Sequence, residues 1–396
     1  MTETIKTEEL KERVVEAADA LAGELAGLSD RFASEPETAF EERRTSAAMA
    51  EYLREKGFEV ETCSGGLDTA FTARSGAGGP GVALLAEMDA LPDIGHGCGH
   101  NIGGVASLGA GAVLREVLDG VLPPGSGTLF VFGTPGEEGG RGKAKMLSAG
   151  AFDGVDAAMM VHASSARTVV KHFLGLVQLR FVFHGRASHA AAYPEKGVNA
   201  LDGVIQTFNS VNALRQQLPP EARVHGIITD GGRAPNIIPE RAEAFFYVRA
   251  PELDLLEELT EKVTACAEGA ATATGCTLDA VAKDSSTAPL KLNAPFADTY
   301  RRALEYLGLP EDPKPPWKNV GSSDIGDLSQ AVPVIHPHVP IRGGLKIHTR
   351  EFAEATMSPD GHRAMVEGVK CLSLTALELF FAPGVLEEIK REFTGA

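Results

Sequence analysis

The first part of the chain alternates helical patterns with short apolar runs. Apolar residues recur near helical spacing in Thr7–Phe32 and again in Thr45–Lys56. Three short apolar runs follow, Gly81–Leu85, Thr128–Phe132 and Ala157–Val161, each bounded by glycine, proline or charge. Runs of this length are typical of buried strands in a sheet that helices cover. This region therefore predicts a layered α/β domain.

The pattern changes near Lys171, and the following stretch predicts the order strand, helix, strand, strand, helix, strand. The predicted strands are Leu176–Phe183, Arg223–Thr229, Glu240–Arg249 and Thr277–Val281, and the predicted helices are Leu201–Leu218 and Leu255–Cys266. Leu201, Val204, Ile205, Phe208, Val211 and Leu214 share one face of the first helix. This order fits a ferredoxin-like α/β sandwich inserted in a larger domain.

After the inserted segment the pattern returns to helices, Ala294–Leu307 and Asp360–Phe381, separated by short strands. A chain of 396 residues is also longer than one hydrophobic core usually supports. We therefore predict an α/β fold with two domains. Residues 1–172 and 287–396 form a catalytic domain with a helix-covered mixed sheet, and residues 173–286 form the inserted α/β sandwich.

Charge and composition narrow the function classes. The net charge of -17 argues against nucleic acid or an anionic membrane as partner, because both are polyanions. No apolar run reaches the roughly 18 to 20 residues that a bilayer span needs. Met1–Lys11 is polar and charged, and five irregularly spaced cysteines do not resemble a disulfide framework. We therefore expect a cytoplasmic protein.

Two neighbouring segments, Glu87–Pro92 and His96–Asn101, bring metal-binding side chains into one glycine-rich turn. Cys98 and His100 offer a thiolate and an imidazole one residue apart, which suits a borderline-soft divalent ion. The glycines around them let the backbone fold tightly. Alone, such a pair is weak evidence for a metal site.

Three further segments add ligand types after predicted strands or loops. Glu137 and Glu138 follow the run that ends at Phe132, and adjacent carboxylates are stable when a cation or proton lies between them. His162 closes another apolar run, and His348 lies near the C-terminus. Taken singly, each also fits a solvated turn or a core histidine. Together with the cysteine segment they provide five ligands, enough for two ions with positions left for water.

These segments resemble the aminoacylase and carboxypeptidase clan of co-catalytic metallopeptidases. Within it the chain resembles the amidohydrolase branch of hippurate and auxin-conjugate hydrolases, and most of all the aminoacylase-1-like dipeptidase subgroup. The matching segments are Met88–Pro92, Gly97–Asn101, Gly133–Pro135, Glu137–Gly140, Gly185–Ala190, Gly231–Pro239, Ser322–Asp324 and His348–Thr349. The resemblance implies a hydrolase of amide or peptide bonds whose inserted domain is a lid and dimerisation domain.

The resemblance also implies roles for single residues. The implied metal ligands are Cys98, His100, Glu138, His162 and His348. Cys98 would face both ions, Glu138 and His162 would complete one ion, and His348 would be the last ligand of the other. Glu137 resembles the general base, and Asp89 resembles the carboxylate that orients a metal ligand. Other branches have a metal-binding histidine where this chain has Glu87.

Three residues of the inserted domain resemble substrate-contacting groups. His189 matches the histidine that reaches the partner subunit's active site and hydrogen-bonds the developing oxyanion. Asn236 and Arg249 resemble substrate-positioning residues, and an arginine fork suits a substrate carboxylate. Arg249 equally fits a structural ion pair. The implied partners are a small substrate and a second copy of the chain, which form a homodimer through the inserted domain.

The expected reaction is attack of a metal-activated water on an amide carbonyl, with Glu137 taking the proton and returning it to the leaving nitrogen. The expected cofactors are two divalent ions, with zinc, manganese, cobalt and nickel all compatible with this ligand set. Three alternatives stay open. The same water could release ammonia in a deaminating aminohydrolase, the fold could serve only for binding, or zinc could be purely structural.

Overall fold

The computed structural model describes residues 3–283, 286–313 and 321–395. The chain divides into two compact units. The first contains the residues up to Lys171, the segment that begins at Lys291 and the residues from Asp327 onward. The second contains His172–Leu290 and a short segment that ends at Gly326.

The regular elements of the described residues are numbered along the chain. The helices are α1 (Glu3–Ser34), α2 (Arg43–Glu55), α3 (His100–Leu118), α4 (Gly142–Ser148), α5 (Ala200–Leu214), α6 (Leu253–Thr274), α7 (Ala294–Tyr306), α8 (Ile325–Ser329), α9 (Arg350–Thr356), α10 (Pro359–Phe381) and α11 (Pro383–Thr394). The strands are β1 (Glu59–Thr62), β2 (Phe71–Gly78), β3 (Gly81–Glu87), β4 (Ser126–Thr134), β5 (Ala157–Met159), β6 (His162–Ser164), β7 (Gly175–His184), β8 (Ser188–His189), β9 (Arg223–Asp230), β10 (Ile237–Ile238), β11 (Arg241–Ala250), β12 (Thr277–Ala282), β13 (Val334–Ile335) and β14 (His338–Pro340).

The first unit is built on a mixed six-stranded sheet in the order β1-β2-β4-β3-β5-β13. Strands β4, β3, β5 and β13 run parallel to one another, whereas β1 and β2 form an antiparallel edge that joins β4 through β2. Every residue of β3 is buried, as expected for a central strand covered on both faces. Helix α3 is buried along most of its length and packs against β3, α1 and α10. The predicted helix-covered mixed sheet is confirmed.

The second unit has a four-stranded antiparallel sheet in the order β12-β7-β11-β9. Helices α5 and α6 pack on the sheet and on each other. Along β11, Ala242, Ala244, Phe246 and Val248 are buried, and the residues between them are only partly so. This alternation places one face of the strand in the core and leaves the other open. The order β7-α5-β9-β11-α6-β12 confirms the predicted ferredoxin-like sandwich.

Element ends differ from the sequence-based expectations in three places. The first helix of the second unit ends as α5 at Leu214 and continues only as a short 3-10 turn. Helix α6 runs to Thr274, because its last turns bury alanines, which give little hydrophobic contrast in the sequence. The third apolar run breaks after Met159, and a separate strand begins at His162.

Within the described residues, no single helix is both long and apolar enough to cross a membrane. The pair α10 and α11 passes that test of length and composition only when the two are joined, and they meet at a bend of 98°. All five cysteines are free.

Candidate active site

The parallel strands of the first unit bring several chemical groups to one edge of the sheet. Strands β4, β3 and β5 are neighbours and run in the same direction, so their carboxyl ends lie side by side. Glu87 ends β3, Glu137 and Glu138 follow β4, and His162 follows β5. In open α/β sheets, sites form at this edge. Residues distant in sequence therefore meet through topology alone.

Helix α3 begins at this edge and carries His100 as its first residue. The preceding Gly99 has a φ of 80°, and a Cβ there would lie 2.5 Å from the Cβ of Ala163. A Cβ on Gly104 would lie 2.2 Å from the carbonyl oxygen of Glu87. Only glycine fits at both positions. The helix can therefore approach the strand ends closely enough for its first turn to join their side chains.

Cys98, His100 and His162 form a first group whose ligand atoms lie within 4.8 Å of one another. Cys98 Sγ is 3.3 Å from His162 Nε2. Nδ1 of His100 lies 2.8 Å from the carbonyl oxygen of Asp89, and Nδ1 of His162 lies 2.7 Å from that of Ala163. Because a carbonyl only accepts, each Nδ1 must carry a proton and donate it. Each Nε2 is thereby oriented towards the group, as in metal-binding histidines.

Cys98 also belongs to a second group, with Glu138 and His348. His348 Nε2 lies 3.6 Å from Glu138 Oε1. The backbone N–H of His348 donates to the carbonyl oxygen of Gly97 at 2.7 Å, which ties the late segment to the cysteine loop. The resemblance had paired Glu138 with His162 on one ion, whereas this geometry groups Glu138 with His348. Cys98 is common to both of these groups.

The electrostatics of these groups fit a divalent cation. Burial lowers the pKa of His162 to about 4, so its ring is neutral. Burial lowers the pKa of His100, but the interactions with Glu87, Cys98 and Asp89 together outweigh it and raise that pKa well above its ordinary value. Glu138 Oε1 and His100 Nε2 are buried without a hydrogen-bond partner among the described residues. The negative charge that favours a proton on His100 favours a metal ion at the same place.

The electrostatics of the Cys98 thiol also fit a nearby cation. Burial raises its pKa well above the ordinary value, so the free thiol keeps its proton. A thiolate at this position needs a cation beside it, and a coordinated divalent ion deprotonates a thiol outright.

Glu137 lies at the border of the two groups with only 12% of its side chain exposed. Its Oε2 is 3.9 Å from His100 Nε2. The neighbouring Glu138 is held through its backbone N–H, which donates to Asp89 Oδ2 at 2.8 Å. Asp89 Oδ1 lies 3.2 Å from His100 Nδ1. Asp89 thus contacts both His100 and the backbone of Glu138. The Glu137 carboxylate lies beside these residues, near His100.

A buried ion pair, which the sequence analysis missed, lies next to this centre. Lys143 Nζ is 2.7 Å from Glu87 Oε1, and both side chains are almost fully buried. Glu87 Oε2 is also 3.4 Å from His100 Nε2. Burial raises the pKa of Glu87, but the charges of Lys143 and of the neighbouring histidines together outweigh it and hold that pKa far below the usual range. A lysine in a glycine-rich stretch gives no sequence signal of burial.

Two more histidines surround His162. The ring of His338 stacks on His162 at a centroid distance of 5.2 Å, and His336 meets it edge-on at 5.4 Å. Strands β6 and β14 pair in parallel with His162 opposite His338. The sequence reveals both histidines but not that β13 and β14 lie beside β5 and β6, because that pairing joins segments far apart in the chain.

The other predicted site residues lie in the second unit. His189 is exposed, and its Nδ1 accepts the backbone N–H groups of Ala191 and Ala192 at 3.3 and 3.2 Å. The ring proton therefore resides on Nε2. Asn236 is exposed, and its backbone carbonyl oxygen accepts the backbone N–H of Ala190. The exposed His189 side chain therefore offers a hydrogen-bond donor at Nε2.

Arg249 is half-buried on β11. Its Nη1 donates to Ser322 Oγ at 2.8 Å, and its guanidinium lies 5.7 Å from the ring centroid of Tyr247. Burial lowers its pKa. In the described part of the chain no carboxylate lies within ion-pair distance of it. This geometry favours a free guanidinium over the structural ion pair that the sequence left open.

Comparison with known proteins supports this picture. A model of the M20 peptidase dimerisation domain matches residues 173–274. The mouse Xaa-Arg dipeptidase is 37% identical over 97% of this chain and 92% of its own length. The chain belongs to the M20 family of metallopeptidases. A p-aminobenzoyl-glutamate hydrolase polypeptide of Escherichia coli is 28% identical over 97% of this chain and 95% of its own length.

Solved structures share the M20 fold. The YxeP protein of Bacillus subtilis, described as a dinuclear metal-binding peptidase of the M20 family, superimposes with a TM-score of 0.71 at 20% identity. The superposition covers 91% of this chain and 99% of YxeP. At this identity the likeness supports the fold, a catalytic domain with an inserted domain.

Family membership confirms the predicted class of function. This M20 protein is an enzyme, a metal-dependent hydrolase that cleaves peptide or amide bonds in small substrates. The predicted clan is confirmed as well. The deaminating alternative is not favoured, since the matching relatives are named as a dipeptidase and an amide hydrolase.

Proposed function

We propose that this M20 enzyme hydrolyses a dipeptide or N-acyl amino acid with a free carboxylate, using two divalent ions. The proposed ligands are Cys98, His100, Glu138, His162 and His348. The observation that supports this most strongly is that these five side chains meet in one unit in two groups that share Cys98. A shared thiolate between two groups suits a dinuclear centre better than a closed structural zinc site.

The identity of the ions follows only in part from the ligands. A thiolate favours zinc or cobalt, whereas carboxylate and imidazole ligands also accept manganese or nickel. When bound, the ions supply a water of lowered pKa and polarise the substrate carbonyl.

Glu137 is the proposed general base and acid. Its carboxylate takes a proton from the attacking water and returns it to the leaving nitrogen, so that an amine departs. Its limited exposure keeps bulk water away from this proton. His189 is the proposed oxyanion donor, and the two N–H groups bound to its Nδ1 support this role by leaving the proton on Nε2. Asn236, on the neighbouring turn, is proposed to help orient the substrate.

Arg249 is proposed to bind the substrate carboxylate. It carries a half-buried guanidinium with a neutral hydroxyl partner, and a substrate carboxylate would give it charge-assisted hydrogen bonds. The mouse relative is an Xaa-Arg dipeptidase, so dipeptides with a C-terminal arginine or lysine are the first substrates to test.

We also propose that two copies of this chain pair through the second unit. The matched dimerisation domain supports this, and so do the exposed apolar groups of the edge strand β9, where Ile227 is 61% and Ile228 is 46% exposed. Ile205 of α5 is exposed as well. An open edge strand with apolar side chains readily pairs with a second strand. In that arrangement His189 would act on the partner's site.

Product analysis tests the proposed reaction. Protein reconstituted with metal is incubated with dipeptides, N-acyl amino acids and amino-aromatic compounds, and Glu137→Ala is the control. A free amino acid that appears with the wild type and not with the control supports amide hydrolysis. Ammonia without a new amino acid would overturn it in favour of deamination.

A further inference from the structure

Two buried carboxylates bind the backbone on both sides of Glu137. Glu42 Oε1 accepts the N–H of Gly136 at 2.8 Å, and Asp89 Oδ2 accepts the N–H of Glu138 at 2.8 Å. The backbone N–H groups of the residues before and after the proposed base are therefore each held by a charged acceptor. We call residues 135–140 the Glu137 loop. Asp89 belongs to the metal-binding segment, but Glu42 lies far from every motif in the sequence.

Glu42 lies at the N-cap position of α2, but its side chain does not cap that helix. Glu37 takes that role, because its carboxylate accepts the backbone N–H groups of Arg44 and Thr45 at 3.0 and 2.8 Å. The Glu42 carboxylate is thus available for the Glu137 loop. Its second oxygen accepts the hydroxyl of Thr69 at 2.9 Å.

Glu42 is completely buried, which is rare for a glutamate and costly unless it is well hydrogen-bonded. Burial raises its pKa, while the bonds from Thr69 and Gly136 oppose that shift. A residue with only a capping or solubility role would not need this location. Hydrogen bonds from Thr69 and from Gly136, which belongs to the Glu137 loop, offset the cost of burying the Glu42 carboxylate.

Phe40 supports the same loop from the same segment. Its backbone has a φ of 62°, an unusual conformation for an aromatic residue. A Cβ on Gly136 or on Gly140 would lie 2.9 or 2.5 Å from its ring, so the ring is in close contact with both ends of the loop. Lys145 Nζ lies 4.2 Å from the centroid of the ring. Strained backbone of this kind persists where the surroundings hold it, and often near functional sites.

We propose that Glu42 is a positioning residue for Glu137. By accepting the Gly136 N–H it acts with Asp89 to fix the backbone of the residues before and after the base, so that the Glu137 carboxylate keeps its place at the metal groups. This inference rests on the proposed role of Glu137. A displacement of about 1 Å in a catalytic group can reduce the rate by about a hundredfold. The effect should therefore fall on kcat and not on KM.

The test compares three variants of Glu42 in the metal-reconstituted protein. Glu42→Gln keeps an oxygen that can accept from Gly136 but removes the charge. Glu42→Asp keeps the charge but withdraws the oxygen by one methylene, and Glu42→Ala removes it. We expect kcat within about threefold of wild type for Glu42→Gln, and about 10- to 100-fold lower for the other two, with KM and bound metal unchanged.

Glu37→Ala is the matched control. It removes the cap of α2 and lowers the melting temperature, but it touches no residue of the Glu137 loop, so kcat should stay near that of the wild type. Hydrogen exchange of peptides covering residues 135–140 gives a readout without turnover. Exchange should accelerate in Glu42→Asp and Glu42→Ala, and stay slow in Glu42→Gln and Glu37→Ala.

Two results would overturn the inference. One is a normal kcat with slow loop exchange in Glu42→Asp. The other is a Glu42→Gln variant whose kcat falls by about tenfold or more, since charge and not the hydrogen bond would then be decisive. If Glu42→Ala does not fold, the aspartate and glutamine variants still decide between these results. A failure of the proposed function is seen separately, as a wild type that releases no amino acid.

Discussion

The two units of this M20 enzyme each contain an ion-pair cluster, and the two clusters lie in contrasting surroundings. In the first unit, Lys143 and Glu87 form an ion pair that is almost completely buried beside the metal-binding groups. In the second, Arg180 and Arg241 meet Glu243 on a sheet face where both arginines stay more than 40% exposed. A buried ion pair holds its two side chains in one geometry, because separating them would leave an uncompensated charge in the interior. Exposed pairs are screened and contribute little to stability.

The same difference holds for the functional residues. Cys98, His100 and Asp89 are buried, and hydrogen bonds to backbone groups orient His100 and Asp89 without a substrate. His189 and Asn236 lie on exposed turns. The chemistry is therefore preorganised in the first unit, while the proposed substrate contacts of the second are free to adapt. Variants in the first unit should affect turnover and stability, and variants of Asn236 and Arg249 in the second should affect substrate affinity.

The largest expected effect is on turnover. Glu137→Gln keeps the shape of the side chain but removes its ability to take a proton, so kcat should fall by about 10³- to 10⁴-fold. Steady-state hydrolysis of a dipeptide measures this, with metal content as the control. A variant that keeps more than a tenth of the wild-type kcat would contradict the role of Glu137.

The buried ion pair gives the largest expected effect on stability. Lys143→Met removes the ammonium partner of the buried Glu87 carboxylate, which should lower the free energy of unfolding by about 3 to 5 kcal/mol. Urea denaturation measures the change, and adding Glu87→Gln to the same chain should recover most of it. The matched control is Arg180→Ala, which breaks an exposed pair and should leave the denaturation midpoint unchanged. Equal effects in both units would remove the contrast between them.

Loss of the shared ligand should weaken both metal groups at once. Cys98→Ala should lower metal affinity by more than about a hundredfold, because changes to residues that merely orient ligands already cost 10- to 100-fold. Metal analysis after gel filtration measures the bound ions, and wild type passed over the same column is the reference. Unchanged metal content would exclude Cys98 as a ligand.

Arg249→Met gives the smallest predicted effect of this set. Removing a charge-assisted hydrogen bond to the substrate carboxylate costs about 1.5 to 3 kcal/mol, which corresponds to a roughly 10- to 100-fold rise in KM. The rise should be absent for a substrate with an amidated C-terminus, which lacks the carboxylate. A fall in kcat with constant KM would place Arg249 in another role.

Much of the fold could be predicted from the sequence. Strands β3 and β4 are uninterrupted apolar runs, and β11 alternates buried and open positions, so periodicity identifies them. The C-terminal half of α6 was missed because its buried residues are alanines, which give only a weak hydrophobic periodicity in the sequence. The short strands β8 and β10 pair through only two residues each, too few for any periodicity.

The sequence predicts candidate ligands of the site but not the residues that support them. Cys98, His100 and Glu138 lie in compact motifs whose chemistry is visible in one dimension. Lys143 and Glu42 carry no local signal, since ordinary lysines and glutamates are exposed and their burial arises from tertiary packing. A sequence shows which groups can bind a metal. It does not show which charged residues are buried to hold those groups.

The most direct test of the two-ion account is a titration of metal-free protein with the divalent ion that restores activity best. Bound ions per chain and the initial rate of dipeptide hydrolysis are measured on the same samples. The account predicts no hydrolysis without metal and a maximal rate only when two ions are bound per chain. A maximal rate at one ion per chain, or full activity in metal-free protein, would contradict it.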